Sequence, residues 1–304
     1  MRNTFINKLT ELAAIHKNVW LIAGDLGYSV LDGFAERYPT RFVNAGVAEQ
    51  NMTGLAAGLA MEGAKPFTYS IANFPTFRCL EQIRNDVCYH NLDVRVVSVG
   101  AGLSYGTHGY THYGIEDIAI MRPLPNMAIL CPADPKEAVR CAEISLAHTG
   151  PMYIRLGKNG EPDMHHAQCS FTLGEPLELL RGTDATILST GSIGYTGLQA
   201  AQSLRASGWD VGFISLPTLR PLNVGRLHTL LGSCRRLFTL EEHVEAGGLF
   251  SLICEISQRE ELGYRITPLC VPHDLPCLGN QGFLLQALGL DAAGIAQRIS
   301  AQLT

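Results

Sequence analysis

No apolar run in the 304 residues approaches the length needed to cross a membrane. Basic clusters are lacking too. Lys+Arg number 23 against Asp+Glu 28, a formal net charge of -5, which argues against nucleic acid as a partner. The opening Met1-Arg2-Asn3-Thr4-Phe5 leads into an amphipathic pattern without the apolar core of a signal peptide, so a cytoplasmic protein is expected. Nine cysteines are scattered with no C-x-x-C pair, which speaks for reduced thiols filling cores rather than a zinc or iron–sulfur site. His165-His166 stands alone in a polar stretch and reads as loop; no metal ligands are assigned to this chain. Gly191-Ser192-Ile193-Gly194 lacks both the G-x-G-x-x-G spacing and a following acid, so it reads as a tight strand-to-helix turn rather than a nucleotide loop.

What the chain does have is alternation. Short apolar runs at 19–23, 66–70, 93–100, 127–130 and 152–156 alternate with helical spacing at 4–16, 29–38, 48–62 and 74–90. The run 93–100 is continuous and β-branched, as for a strand buried on both faces. A further helix opens at Pro132-Ala133-Asp134-Pro135, with Asp134 as N-cap and Pro135 in the first helical position. Residues 157–173 have linker composition, after which the alternation restarts at 185–189. The length suits two domains. The expected fold class is α/β, two domains each with a mostly parallel sheet flanked by helices: 1–160, a linker at 161–182, and 183–304.

Three stretches carry candidate chemistry. In Phe42-Val43-Asn44-Ala45-Gly46-Val47-Ala48-Glu49-Gln50-Asn51-Met52 a strand passes a glycine into a helix, placing Glu49 in the first turn. A lone acid there commonly complements the helix macrodipole, but it would also stand at the carboxyl edge of a sheet, where ligands bind. The helix that follows is small-faced (Gly54, Ala56, Ala57, Gly58, Ala60); interior glycines cost stability, so close approach of another backbone is expected. Ile71, Phe74 and Phe77 stand three apart, either a core stripe or a stacking platform for a flat heterocycle. The loop Gly106-Thr107-His108-Gly109-Tyr110-Thr111-His112 sets two histidines four apart, but its glycines argue against the helix a metal pair would need.

Together these segments resemble the transketolase group of thiamine-diphosphate enzymes, in the pyrimidine-binding and C-terminal domains. Asn44 to Glu49 matches the family's Asn/Arg-x-Gly-x-x-Glu, whose Glu faces the aminopyrimidine ring of the cofactor. Asn73-Phe74 matches the segment that sandwiches that ring, Ile71 and Phe77 standing where the family's aromatics vary. Thr111-His112 matches the end of Gly-x-Asp-Gly-Pro-Thr-His, with His108 in place of Asp and Tyr110 in place of Pro. Residues 115–117, 121–127 and 216–222, and Glu241-Glu242-His243 with Gly247-Gly248, extend the resemblance along the chain.

The family's diphosphate and metal motif, Gly-Asp-Gly followed by Asn, is not found. The resemblance therefore implies the C-terminal subunit of a split transketolase, active only with an N-terminal subunit that carries the diphosphate-binding domain. An α2β2 heterotetramer is implied, with thiamine diphosphate as cofactor and Mg²⁺ (or Ca²⁺) held mainly by the partner. The implied reaction moves a two-carbon ketol unit from a ketose (phosphate) to an aldose (phosphate). The implied catalytic residues are Glu49 and His112, and the cofactor contacts are Glu49, Ile71, Phe74 and Phe77. Substrate contacts would be His108, His112, Ser29, Lys158 and Arg2. The donor end departs from the family at three points: Gly100-Ala101-Gly102 in place of a basic residue, Lys158 for Arg, and His108 for Asp. A modified or differently substituted donor sugar is expected. The alternatives are the β subunit of a 2-oxo acid dehydrogenase, a deoxyxylulose-phosphate synthase, and a non-catalytic partner subunit.

Overall fold

The apolar runs of the first half become strands of one twisted sheet. The structure, a computed structural model, describes residues 1–158, 160–165, 167 and 169–304; His166 lies outside the described residues. In chain order the first half comprises α1 (Arg2–Ile15), β1 (Val19–Ala23), α2 (Asp32–Arg37), β2 (Phe42–Asn44), α3 (Glu49–Met61), β3 (Lys65–Ile71) and α4 (Leu80–Gln82). It continues with β4 (Arg95–Val99), α5 (Asp117–Met121), β5 (Ala128–Leu130), α6 (Pro135–Ala147) and β6 (Met152–Leu156). Their order across the sheet is β5-β6-β4-β3-β1-β2, all parallel. Central β4 shows why its run is unbroken: Val96 packs into one core and Val97 into the core on the opposite face.

Arg95 opens that strand fully buried, and its guanidinium donates to the carbonyls of Ser145 (2.7 Å), His148 (2.6 Å) and Gly150 (2.8 Å) at the end of α6. A cation at a helix carboxyl end is favoured by the dipole. At the other end of α6, Asp134 caps through Glu137 N–H (2.7 Å) and Pro135 takes the first helical position, as the sequence predicts.

One predicted helix differs. Residues 72–79 form successive turns, regular helix begins only at Leu80, and α4 runs into a π-helical stretch at Ile83–Cys88. Ile71 is the last residue of β3, so the trio Ile71, Phe74 and Phe77 does not share one side of a helix. Pro75 within the segment lacks the N–H a regular helix would use.

The second half comprises β7 (Leu177–Leu180), β8 (Ala185–Ser189), α7 (Gly194–Ala206), β9 (Val211–Ser215), β10 (Thr218–Arg220), α8 (Val224–Leu231) and β11 (Arg236–Val244). After these come α9 (Leu249–Arg259), β12 (Arg265–Val271), α10 (Gln281–Ala287) and α11 (Ala292–Leu303). The sheet order is β12-β11-β8-β9-β7, parallel except for the β7–β9 pair. Strand β7 lies within the stretch 161–182 and belongs to this second sheet. Strand β10 crosses back to add an antiparallel edge to the first sheet beside β5.

The seam between the halves is polar and buried. Arg155, on β6, is 1 % exposed and donates from Nε to Asp117 Oδ2 (2.7 Å) and from Nη2 to the carbonyls of Gly114 (2.6 Å) and Glu242 (2.9 Å). Tyr153 donates to the same Asp117 oxygen at 2.5 Å. Removing one partner of a buried pair leaves the other uncompensated, so Arg155→Met is expected to cost about 3–5 kcal/mol by urea denaturation. The Asp117→Asn/Arg155→Met double variant is expected to recover part of that loss; a single variant within about 1 kcal/mol of wild type would show that the pair does not hold the seam.

Candidate active site

The crossings after β1, β2, β3 and β4 meet at the carboxyl edge of the first sheet, the usual ligand edge of an open α/β sheet. Asn44 shapes the second crossing. Its Oδ1 accepts from Gly46 N–H (2.9 Å) and Asp25 N–H (3.2 Å), and its Nδ2 donates to Asp25 Oδ1 (2.9 Å). The chain then turns into α3 with Glu49 as first helical residue, 2 % exposed. Room for that carboxylate comes from Gly24 after β1, where an added Cβ would stand 3.3 Å from Glu49 Cγ. Beside it the Ser70 hydroxyl is buried with no hydrogen-bond partner among the described residues.

The sequence reading expects Glu49 in apolar surroundings. Instead its Oε2 accepts from Arg78 Nη1 at 2.8 Å, and Arg78 Cζ lies 4.6 Å from the Phe74 ring centroid. Phe74 in turn meets the His112 ring edge-on, centroids 5.3 Å apart. A cavity of about 440 Å³ opens here, lined by Asn73, Phe74, Phe77, Arg78, Thr111 and Glu116 among others. Asn73 Nδ2 donates to the Thr111 carbonyl, tying the β3 crossing to the histidine loop. Ile71 is half-buried at the end of β3, and its carbonyl accepts from Phe74 N–H (2.8 Å).

The predicted substrate residues gather around a residue the sequence reading passed over, Tyr105. His108 lies 5.0 Å from His112, Tyr105 lies 5.5 Å from His108, and Lys158 Nζ sits 4.8 Å from the Tyr105 ring centroid. Arg2 interacts with the hydroxyls of Tyr69 and Tyr105, opposing the rise that burial gives both phenols. Ser29, exposed with φ +62°, makes no hydrogen bond to this group among the described residues; its N–H donates to Asp32. Burial, and secondarily His108, hold the His112 pKa below the ordinary value of 6.5, so the ring is neutral at neutral pH and keeps one N–H to donate.

Asp134, Glu137 and His165 stand close enough to suggest a metal site. Their atoms are already employed: Asp134 accepts from Glu137 N–H and Met164 N–H (2.8 Å), Glu137 from Ala133 N–H (2.7 Å) and Ser215 (2.7 Å), and His165 Nε2 is 3.0 Å from Glu137. The cluster joins α6 to the 157–173 segment and to the second domain. It is structural.

A buried carboxylate at the mouth of a parallel sheet, facing an aromatic ring and a histidine loop, is the arrangement of a domain that receives a flat heterocycle. The chain belongs to the transketolase family. Residues 1–161 match the model "Transketolase, pyrimidine binding domain", and residues 174–295 match "Transketolase, C-terminal domain". One of the two subunits of an apulose-4-phosphate transketolase of Phocaeicola vulgatus is 33% identical over 298 residues, 97% of this chain and 95% of that one. A "Putative transketolase C-terminal section" of Methanocaldococcus jannaschii is 32% identical, covering 98% and 95%. A "6-deoxy-6-sulfo-D-fructose transketolase subunit SqwH" of a Clostridium species is 33% identical, covering 84% and 80%. A solved structure described as "Split gene transketolase, inactive beta4 tetramer" superposes with TM-score 0.89 at 33% identity, covering 99% and 97%. A transketolase of Pichia stipitis, 18% identical, shares the fold with TM-score 0.82 over 99% of this chain and 45% of its own.

If His108 lowers the His112 pKa through like charge, His108→Asn removes that competitor and protonation of His112 becomes easier. The expected result is an upward shift of the His112 pKa, read from its ring proton in an NMR pH titration. An unchanged or lower value would mean that burial alone sets it.

Proposed function

We propose that this chain is the C-terminal, cytoplasmic subunit of a split transketolase, transferring a two-carbon ketol unit between sugars once its diphosphate-binding partner is in place. The observation that carries this reading is the trio Glu49, Phe74 and His112 on one cavity rim, in a chain without a Gly-Asp-Gly motif. Half of the cofactor finds fitting residues here. Glu49 would hydrogen-bond the aminopyrimidine nitrogen, Phe74 would stack on the ring, and Phe77 and Ile71 would flank it. Mg²⁺ (or Ca²⁺) and the diphosphate would be held by the partner, since the one cluster of candidate metal ligands among the described residues is internally satisfied. When bound, thiamine diphosphate supplies the carbon nucleophile and electron sink.

The chain's own contribution is positioning and proton control. Neutral His112 would donate to an oxygen of the ketose. Arg2 and Lys158, with Ser29, would meet the far end of the donor, and His108 a hydroxyl. Two relatives are named for apulose 4-phosphate and 6-deoxy-6-sulfo-D-fructose, which supports a donor other than an ordinary pentulose phosphate. In the two-subunit enzyme Glu49→Gln is expected to lower kcat about 10²–10⁴-fold without changing sedimentation. Xylulose 5-phosphate is not expected to be the best donor of a ketose panel, and the isolated chain should show no micromolar binding of thiamine diphosphate with Mg²⁺ by calorimetry. Near-normal turnover of Glu49→Gln removes Glu49 from the mechanism, xylulose 5-phosphate as best donor overturns the donor assignment, and micromolar binding by the chain alone overturns the split site.

The partner would dock on α3. Gly54, Leu55, Gly58 and Met61 form an exposed face, and an added Cβ at Gly54 or Gly58 would meet no atom of this chain within 4 Å. The glycines therefore leave space for a second chain, in the proposed heterotetramer. Gly58→Leu is expected to shift sedimentation toward smaller species. Unchanged sedimentation would remove α3 from the interface.

A further inference from the structure

We propose that Arg78 is a built-in stand-in for the aminopyrimidine ring, occupying its two anchor points until the cofactor displaces it. This rests on reading Glu49 and Phe74 as the pyrimidine site. The ring would need an edge donor toward Glu49 and a face toward Phe74. Arg78 supplies both: Nη1 is 2.8 Å from Glu49 Oε2, and the guanidinium carbon is 4.6 Å from the Phe74 centroid. A guanidinium is planar and delocalised and has donors along its edge, so it can mimic a protonated flat heterocycle where an ammonium cannot.

The asymmetry of burial says which partner moves. The Glu49 side chain is 2 % exposed and held on the first turn of α3, whereas the Arg78 side chain is 46 % exposed and sits in the irregular 72–79 segment. An uncompensated buried carboxylate is costly. Arg78 compensates it in a chain whose site faces outward, and it can swing into solvent. Cofactor entry is then an exchange, and the apparent affinity carries the cost of breaking the Glu49–Arg78 pair.

Arg78→Met keeps side-chain length but removes both the charge and the plane. In the two-subunit complex, thiamine diphosphate with Mg²⁺ is expected to bind Arg78→Met about 3- to 10-fold more tightly than wild type by calorimetry, as suits a half-exposed ion pair with a cation–π contact. Unchanged or weaker binding by the variant, with wild type binding normally, overturns the stand-in and leaves the proposed function intact. Failure of both complexes to bind overturns the function and the stand-in together. A cofactor-free readout is a double-variant cycle of thermal denaturation on the isolated chain. Arg78→Met is expected to lower Tm in the wild-type background and to have no effect in Glu49→Gln; equal effects in both backgrounds would show that the two side chains are not coupled.

Discussion

The buried guanidinium of Arg155 is the contact on which the rest of the site depends. It joins β6, the first turn of α5, the end of the histidine loop and the last part of β11 in the second domain through three acceptors. Burial would lower its pKa, but the Asp117 carboxylate more than offsets this, so the net shift is upward and the charge persists. The loop is fastened at its other end by the reverse arrangement, in which the Glu242 carboxylate of the second domain accepts from Leu103 N–H (3.0 Å) and from Gln281 (2.9 Å). Between the two clamps, Tyr113 donates to the Gly106 carbonyl (2.7 Å). A long irregular segment thereby presents His112 from fixed ends, as precise positioning of a reacting group requires.

Along the same seam the hydrogen-bond pattern sets charge states. His243 is buried, and its Nδ1 faces the Val244 carbonyl (2.7 Å) while its Nε2 accepts from Ala119 N–H (3.3 Å). That assigns the proton to Nδ1 of a neutral ring, and burial pushes its pKa down to about 4, in agreement. Neighbouring Glu241 is pushed up to about 7 by burial, opposed by the N–H groups of Leu249 and Phe250 that it caps at the start of α9. The Glu241-Glu242-His243 run is thus a fastening: one acid caps a helix, the next anchors a loop, and the histidine bridges to α5.

The regular elements were legible because period and punctuation agreed. Strands β1, β6, β8, β9 and β12 and helices α8 and α11 run over the residues the sequence indicates. The segment after β3 was misread because Phe74-Pro75-Thr76-Phe77 has helical apolar spacing while Pro75 disfavours the helix, and spacing alone cannot weigh that conflict. Strand β7 was missed because all four residues are half-buried, with no alternation to see. Glu49 and His112 were legible from motifs. Arg78 was not, since an arginine amid Phe77, Cys79 and Leu80 looks like the solvated side of a helix, and only the fold turns it back onto Phe74 and Glu49.

Tyr105 shows how a local gain can hide inside an apparent loss. Read as a sequence, Gly100-Ala101-Gly102 is a missing cation, one of three departures at the donor end. In the fold, a Cβ at position 100 would stand 2.0 Å from Tyr105 Cε2, and the backbone there has φ +86°. The ring fills the space a side chain at 100 would use, so a basic residue at 100 and a tyrosine at 105 exclude one another. The absent cation and the aromatic ring are therefore a single exchange. Lys158 over the ring face and Arg2 at its hydroxyl complete it, drawing the remaining charges around the phenol. In the proposed enzyme the far end of the donor would meet an aromatic wall carrying two cations. Such a surface discriminates by the shape of the sugar as well as by its charge.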